Sequence, residues 1–457
     1  MHLKDIRRYE GLRMMKSAII LALAAAAWGE EPLSLRDAVR VALSKNQSIE
    51  AATAGTKAAE LRIAQARSAY LPKVNYSESF ARSDNPVFVF SSLLTQHLFT
   101  ASNFQLGPLN RPDALNNFQS LIAMDQVVYD GGQTRSTVRA AELGHGISGE
   151  EGRRTQMEVI AGVVRAYYDA VLGAENVRAA REALRSAEAD LDRAEAIRSA
   201  GMSTDVDVLS IRVHLSAVRE QQIRRTAEWR VARAALNEVL GLPLDTEHGL
   251  SSGLTAAELP DTELSEYERR AVESRPEARQ AALAASLAEI QARGARASLL
   301  PQVSLRGAFE ADRQRFVTRG GANWLAGVSL RWNVFNGFGD KARIAEAGQS
   351  LRQARAQHER ADSRIRLQVH RAYFDLKSAE QRLEVAKAAV AMAEESLRIT
   401  QNRYQHGLSN VTDLLRNETA LLEARTRHLS AIHDQHVAAT LLELAAGTLS
   451  ADSEVLN

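Results

Sequence analysis

The chain has 457 residues, 57 basic against 56 acidic side chains, and no cysteine. A net charge of +1 gives no overall field that would attract nucleic acid or anionic lipid, so no nucleic-acid partner is expected. The lack of cysteine excludes disulfides, thiolate metal sites and a lipidated N-terminal cysteine. Aromatic residues make up only 5% and there are nine prolines, a composition that favours very long helices over one thick core.

The first 29 residues have the character of a cleavable secretory signal. An apolar stretch, 17–27, follows Lys16 and is shorter than the ~20 residues that a membrane-spanning helix needs. It ends in the small-x-small sequence Ala27-Trp28-Gly29, which is typical of a cleavage site. The alternative, an N-terminal core helix, leaves the basic flank unexplained. The sequence therefore predicts a signal peptide at 1–29 and an exported protein without a transmembrane helix.

The remaining chain contains a duplication. Residues 35–72 align with 264–301 at a constant offset of 229. Further along the offset is 206, where the sequence Arg-Ala-Tyr-Tyr-Asp at 165–169 returns as Arg-Ala-Tyr-Phe-Asp at 371–375. Two copies of one long unit predict two similar half-structures in a pseudo-symmetric pair.

The difference between the offsets, 229 − 206 = 23 residues, is extra chain between Pro72 and Tyr129. We therefore expect a first structural repeat over 30–257 and a second over 258–457. Each is predicted to contain helices, two strands and a long helical hairpin.

Each repeat begins with two predicted helices. They cover 35–44 and about 48–69 in the first repeat, and 264–273 and 276–298 in the second. Both second helices end at a Leu-Pro sequence, because proline moves the residue before it out of the α region.

The apolar period then changes from 3.6 to 2, which indicates strands. The longest alternating run is about eleven residues, the length of a tilted strand that crosses a bilayer. Trp324 and Trp332 lie towards its two ends, where interfacial aromatics are expected. The alternation by itself fits a soluble hairpin equally well. The predicted strands are 74–82, 118–128, 303–309 and 324–334.

The 23 extra residues fall in the loop between Arg82 and Phe118. We expect this loop to be extracellular and irregular, since it contains Pro86, Pro108 and Pro112. Its apolar segment 87–93 is expected to be partly packed.

A turn after each strand pair leads into helical stretches of unusual length, about 134–199 and 341–405, without an internal proline. At ~1.5 Å per residue each spans roughly 95 Å. Each stretch is expected to break at a glycine, restart near Asp205 or Thr412, and run back to a second glycine. These glycines are Gly201, Gly241, Gly407 and Gly447.

The long stretches have coiled-coil character. A three-four spacing predicts an apolar seam in the second repeat, where alanine allows helices to approach closely. The seam residues are Leu383, Ala386, Val390, Ala393 and Leu397. A charged stretch of the first repeat is assigned to solvent; it contains Glu182, Arg185, Glu188, Asp190 and Arg193.

This layout, present twice after a signal, resembles the TolC-like outer-membrane efflux proteins over nearly the whole mature chain. The strongest local match is the segment 403–415, Arg-Tyr-Gln-His-Gly-Leu-Ser-Asn-Val-Thr-Asp-Leu-Leu, which is similar to the periplasmic-tip turn of that family. The segment 200–209 is its degenerate partner.

The resemblance implies a mainly α fold with a small β part. Duplicated helical hairpins would form an α-barrel tunnel, and four strands per subunit would join a transmembrane β-barrel in a homotrimer. It also implies an outer-membrane location, with outer-membrane lipid around the barrel and the helical part in the periplasm. The trimer would be the passive exit duct of a tripartite efflux pump or a type I secretion system. Its partners would be a periplasmic adaptor and an inner-membrane pump or ABC transporter.

The resemblance further implies a gate and selectivity site at the periplasmic mouth. Asp207 and Asp413 occupy the position of the family's tip carboxylates, and Tyr404 matches a gate tyrosine. Two residues depart from the family pattern: Arg416 replaces a second carboxylate, and Ser409 replaces a gate arginine. The alternative for both is a structural role as first-turn carboxylates that stabilise a helix start; it suits Asp207 as well as the gate does, whereas the gate is preferred for Asp413.

The tip turns themselves are the expected contact sites of the adaptor, through Gly201, Ser203, Gly407 and Ser409.

No pattern of catalytic residues competes with this interpretation, so no enzymatic activity and no cofactor are expected. His433 and His436 form the one helical i,i+3 histidine pair, but no third ligand at suitable spacing completes a metal site. The alternative function is a soluble periplasmic coiled-coil scaffold without a pore.

Overall fold

A computed structural model of the chain describes residues 32–201, 203–251, 253–257, 262–318 and 320–456. The predicted signal peptide lies outside these residues. Within them, no helix combines the length and the apolar character needed to cross a membrane.

The helices and strands follow the predicted order, except that two helices, Pro86–Thr95 and Leu106–Asn110, lie in the segment between Arg82 and Phe118 that was expected to be irregular. In chain order they are α1 (Leu35–Lys45), α2 (Gln47–Arg67), β1 (Lys73–Ser83), α3 (Pro86–Thr95), α4 (Leu106–Asn110), β2 (Leu115–Tyr129), α5 (Gln133–Ser199), α6 (Asp205–Leu240), α7 (Leu264–Ser274), α8 (Pro276–Ala297), β3 (Gln302–Arg313), β4 (Gly321–Arg331), α9 (Gly339–Gln405) and α10 (Val411–Ala446). Most boundaries lie within two or three residues of the predicted ones. The long helices match in length between the two halves, with 67 residues each in α5 and α9 and 36 each in α6 and α10.

The chain divides into two compact units that do not follow the predicted repeats. One, called the helical unit, comprises the described parts of Met1–Thr53, Glu151–Ala278 and Asp362–Asn457. The other, called the sheet unit, comprises Ala54–Glu150 and Arg279–Ala361. Each unit draws on both halves of the sequence, so the repeat boundaries at 30–257 and 258–457 stay a prediction.

The helical unit is built around apolar stripes of its long helices. Its largest core surrounds Tyr167 of α5, which is fully buried and donates its hydroxyl to the Leu33 carbonyl at 2.9 Å. A second core contains Val369 of α9 and Leu442 of α10. The predicted seam is confirmed at Leu383, which is buried against Ile432. Alanines line much of these contacts, which allows the helix backbones to approach closely.

The sheet unit contains four antiparallel strands in the order β1-β2-β3-β4. The pairing of β2 with β3 joins strands from the two halves of the sequence. Because side chains alternate along a strand, the register places Phe309 and Trp324 opposite each other on one face. Polar residues such as Ser304 and Ser329, whose hydroxyls are 2.8 Å apart, share the other face.

The segment between β1 and β2 is more regular than the sequence indicated. Pro86 does not mark irregular chain but begins α3, at a helix start where the missing N–H of proline has no cost. The apolar segment of α3 is partly packed as expected, and the chain just after it is fixed to the sheet. The Gln96 side-chain amide donates to Asn117 at 2.8 Å, and Asn117 donates to the buried Asp312 at 2.6 Å.

Gly241 provides a test of the backbone geometry that ends α6. Its φ of +70° closes the helix, and a Cβ at this position would lie 2.4 Å from the Lys45 carbonyl oxygen. We expect Gly241→Ala to lower the free energy of unfolding by at least about 1–2 kcal/mol, since a side chain disfavours this conformation. The measurement is thermal or denaturant unfolding in detergent. Gly55→Ala is the matched control, because Gly55 lies within α2 with open space around it and alanine there should stabilise by about 0.5–1 kcal/mol. Equal effects of the two substitutions would contradict the conclusion that backbone conformation and the close approach of Lys45 require glycine at position 241.

Candidate functional site

The two predicted tip turns lie at the ends of the helical hairpins α5–α6 and α9–α10. Gly201 and Gly407 follow the first helix of each hairpin with φ values of +74° and +69°. At the second turn the Leu408 N–H donates to the Arg403 carbonyl at 2.8 Å, and the Gly407 N–H donates to Tyr404 at 3.1 Å. This is the glycine-terminated helix end that satisfies the last carbonyl groups. A Cβ on either glycine would meet no atom within 4 Å, so backbone conformation and not space requires glycine there.

Asp207 belongs to a capping box at the start of α6. The Thr204 hydroxyl accepts from the Asp207 N–H at 3.3 Å. In return the Asp207 carboxylate accepts from the Thr204 N–H at 3.1 Å and from the hydroxyls of Thr204 and Ser203 at 2.8 and 3.1 Å. These bonds pair backbone donors that a helix start otherwise leaves unpaired.

The same bonds fix the charge of Asp207. Hydrogen bonds from the side chain and backbone of Thr204 lower the pKa of the Asp207 carboxyl below its ordinary value, against a small opposing effect of burial. Asp207 is therefore ionised at neutral pH.

The second tip has a related cap with a different electrostatic environment. The Asn410 side chain accepts from the Asp413 N–H at 2.8 Å, and the Ser409 hydroxyl donates to the Asp413 carboxylate at 3.3 Å. Arg416 lies one turn further along α10, with a guanidinium nitrogen 3.8 Å from an Asp413 oxygen. Both side chains are well exposed, so this ion pair screens part of the Asp413 charge and contributes little to stability.

Tyr404 links the two tips inside the helical unit. It packs against a small apolar core with members from both hairpins, among them Ala194, Val208 and Val411. Burial raises the pKa of the Tyr404 hydroxyl, and the negative charges of Asp207 and Asp190 raise it further. The structure thus brings Tyr404 close to the Asp207 carboxylate.

The assignment of the charged stretch of α5 to solvent is wrong at one residue. Asp190, which was assigned to a solvated face, is only 5% exposed. Its carboxylate accepts from Arg193 at 2.8 Å. The sequence contained the indication, because Ala187, Asp190 and Ala194 follow the three-four spacing of a buried seam and both alanines are fully buried.

Asp190 belongs to a polar cluster that sequence reasoning missed. Glu418 of α10 lies against the Asp190 carboxyl group, and His214 of α6 lies 3.6 Å from Glu418. Burial raises the pKa of Glu418 to about 8, and the neighbouring Asp190 adds to the shift. Residues 190, 214 and 418 are far apart in the sequence, which is why no local pattern connects them.

The histidine pair on α10 has protein partners. His433 lies between Asp169 at 2.9 Å and Asp434 at 3.2 Å, while His436 stacks on Tyr168 and contacts the Thr255 carbonyl at 2.7 Å. Among the described residues, no three His, Asp or Glu side chains are grouped as a metal site requires.

Comparison with known proteins gives the family. The model of the family described as "Outer membrane efflux protein" matches residues 38–242 and 269–448. The chain is 28% identical to Protein CyaE of Bordetella pertussis, over 92% of this chain and 85% of that protein. It is 24% identical to the outer membrane efflux protein BepC of Brucella suis, over 97% of this chain and 92% of that protein.

The fold is also that of a solved outer-membrane channel. The CmeC outer membrane channel of Campylobacter jejuni superimposes with a TM-score of 0.77 at 18% identity, covering 94% of this chain and 92% of that one.

The chain belongs to the outer membrane efflux protein family. It is an outer-membrane protein of the exit-duct class that serves efflux pumps and type I secretion. This assignment favours the channel over a soluble scaffold. The proteins compared are channels and not enzymes.

The capping role of Asp207 is directly testable. We expect Asp207→Ala to increase amide hydrogen exchange in the first turn of α6, with a local loss of about 1 kcal/mol or less, because the capping acceptor is removed. In the unsubstituted protein this protection should be complete above pH 3.8, the ordinary pKa, and should disappear as pH falls through the lowered pKa of Asp207.

Asp205→Ala is the control for this substitution. Asp205 lies in the same turn but is exposed and only pairs with Arg198 at 3.2 Å, so its removal should change exchange little. The capping interpretation would be wrong if the two variants exchanged alike.

Proposed function

We propose that the chain acts as a homotrimer in which three four-stranded sheets close into one barrel in the outer membrane. The observation that supports this is the strand order, in which β1 and β4 are edge strands without a further partner in the described part of the chain. Unpaired edge groups are not tolerated in lipid, so a membrane-embedded sheet of this kind must close with other copies.

The side chains of the sheet support a lipid contact. One face of the sheet presents large apolar side chains that are exposed in a single chain. An outward apolar band with aromatic residues near its borders is typical of outer-membrane barrels. These residues include Val74, Tyr76, Phe80, Phe309, Trp324, Val328 and Leu330.

The helices in turn would form the wall of a tunnel through the periplasm. The duct is passive: it has no catalytic role of its own, and an inner-membrane pump or ABC transporter supplies the energy. A periplasmic adaptor would dock on the tip turns, where Gly201, Ser203, Gly407 and Ser409 lie at the ends of the hairpins.

We assign a cation-selective constriction to the same tips. Threefold symmetry would bring three copies of Asp413 together, with Asp207 nearby, and rings of carboxylates attract cations. Tyr404 would hold the two tips together at this end. The nearby Arg416 reduces the negative field. Cation selectivity should therefore depend on the carboxylates and on the Arg416 guanidinium, in opposite directions.

The trimer can be tested by cysteine cross-linking, since the chain contains no native cysteine. A cysteine at Ser77 on β1, combined in turn with cysteines at 323, 325, 327 and 329 on β4, should give disulfide-linked dimers and trimers in at least one pair. Mass measurement in detergent should give three chains. The control pair is Ala123→Cys with Ala308→Cys, which lie opposite each other on β2 and β3 and should cross-link only within a chain. A monomer in detergent with no intermolecular β1–β4 cross-link would refute the proposal.

The constriction can be tested by conductance in planar bilayers. Asp413→Ala with Asp207→Asn should weaken cation selectivity and block by multivalent cations; asparagine at 207 keeps an acceptor for the cap. Arg416→Ala should have the opposite effect, because it removes the positive charge 3.8 Å from Asp413. Unchanged selectivity in a folded double variant would leave both aspartates as helix-capping residues only.

A further inference from the structure

The buried cluster of Asp190 and Glu418 has no role in the constriction described above. Asp190 lies 201 − 190 = 11 residues before Gly201, and Glu418 lies 418 − 407 = 11 residues after Gly407. Along their helices they lie roughly 14 and 10 Å from the helix ends at Ser199 and Val411. The pair joins the hairpin α5–α6 to the hairpin α9–α10.

The hydrogen bonds of Asp190 leave one of its two carboxylate oxygens without a donor. Its Oδ1 accepts from Arg193, but its Oδ2 is fully buried and has no hydrogen-bond partner. A buried carboxylate oxygen without a donor is costly. Glu418 is the side chain that lies against this carboxyl group, and Ser186, one turn before Asp190 on α5, also contacts Glu418 at 3.4 Å.

Two ionised carboxylates side by side in this environment would repel each other strongly. A single proton between them removes the repulsion, and a protonated Glu418 then donates its O–H to Asp190 Oδ2. The proton thus supplies the missing donor.

The other groups around Glu418 do not replace that proton. On α6, His214 is 3.6 Å from Glu418, but burial lowers the pKa of its imidazole, so it is neutral at pH 7. On α5, Ser186 donates to Glu418 at 3.4 Å, and the positive charge of Arg193 is already engaged by Asp190. Arg425 of α10 and Glu182 of α5 line the same cavity as Glu418, but the charge of Arg425 is engaged by Glu394 of α9 at 2.8 Å and by Glu182 at 3.8 Å.

A cavity of about 250 Å³ adjoins the pair within the helical unit. Its lining is partly polar, so it can admit water. Loss of the proton would leave two buried negative charges, and hydration of this cavity would accommodate them at the expense of helix packing. The lining includes Ser186, His214, Val218, Leu397, Glu418 and Leu421.

We propose that Asp190 and Glu418 share one proton across the contact between α5 and α10, and that this proton latches the two hairpins together near their tips. Acidic to neutral pH keeps the latch closed, and alkaline pH opens it. Any effect of this latch on conductance through the tunnel rests on the proposed channel function. The shared proton itself does not.

The direction of the pH effect follows from linkage. The pKa of Glu418 is raised from 4.5 to about 8, so the folded chain binds this proton more tightly than the unfolded chain. The stabilisation is complete below about pH 4.5 and is lost as pH rises to about 8.

The first test is the infrared spectrum of the whole protein at pH 7. We expect a carbonyl band of a protonated carboxylic acid that disappears above pH 9 and is absent in Glu418→Gln. A spectrum in which Glu418→Gln retains that band overturns the proposal.

The second test measures amide hydrogen exchange at pH 6 and pH 9, corrected for the intrinsic pH dependence. Exchange in α5 and α10 around the pair should be about a hundredfold faster at pH 9 than at pH 6 in the unsubstituted protein, the ratio that linkage gives for a carboxyl group with a pKa of about 8 in the closed state and 4.5 in the open one. In Glu418→Gln the side-chain amide donates to Asp190 at every pH, so the difference should disappear. Glu423→Gln, an exposed position on the same helix, is the matched control and should behave like the unsubstituted protein. A difference that persists in Glu418→Gln overturns the latch.

Further measurements cover a variant that fails to fold, a bound metal ion and a failure of the channel proposal. If Glu418→Gln does not fold, Asp190→Asn serves instead, because its amide stabilises an ionised Glu418 and should move the pH effect to lower pH. All measurements are repeated with chelator, and loss of the pH effect on chelation would assign the pair to a metal ion and overturn the proton. Conductance at pH 6 and pH 9 is measured separately, so failure of the channel proposal leaves the spectroscopic and exchange results to decide the latch.

Discussion

The pairing of backbone hydrogen-bonding groups is the constraint on which this structure depends. Long helices satisfy these groups internally, but the four-stranded sheet leaves the outer sides of β1 and β4 open. In water such edges are protected by charge or by short strands; in lipid they must be paired. A sheet with an exposed apolar face and two open edges fits a fraction of a barrel, and the assembly that we propose rests on that requirement.

The same requirement shapes the other end of the hairpins. Each long helix stops at a glycine with positive φ, and the next helix starts at a side-chain cap. Asp207 completes the capping box of α6, and Asp413 lies in the first turn of α10 behind the Asn410 cap, so both positions have a structural reason before any role in selectivity. The hydrogen bonds of its cap also hold the Asp207 carboxylate in place and keep its pKa low, which suits it to the charged constriction that we propose. Helix capping and cation selectivity thus use the same carboxylate geometry. A substitution that keeps the hydrogen-bond acceptor but removes the charge separates the two roles.

The contact between the hairpins combines small apolar residues with one buried polar pair. Alanines such as Ala187 and Ala194 allow α5 to approach its neighbours, and Asp190 lies between them on the same stripe. Close approach removes water, and the loss of water makes the Asp190–Glu418 pair sensitive to a single proton. The packing between the hairpins therefore also creates the contact to which we assign a shared proton.

The sequence by itself determined the helices outside the segment between β1 and β2, most of their ends, and the family. Leu-Pro pairs, cap residues, glycine breaks and the change of apolar period act locally, so they can be read from neighbouring residues, and the duplication repeats them twice. The tertiary structure decided what depends on distant residues. It pairs β2 with β3 across the two halves, makes Pro86 the start of a helix packed on the sheet, and brings Asp190, His214 and Glu418 together. Burial and pKa arise from such non-local contacts, because the environment of a charge is set by the elements packed around it and not by its neighbours in the chain.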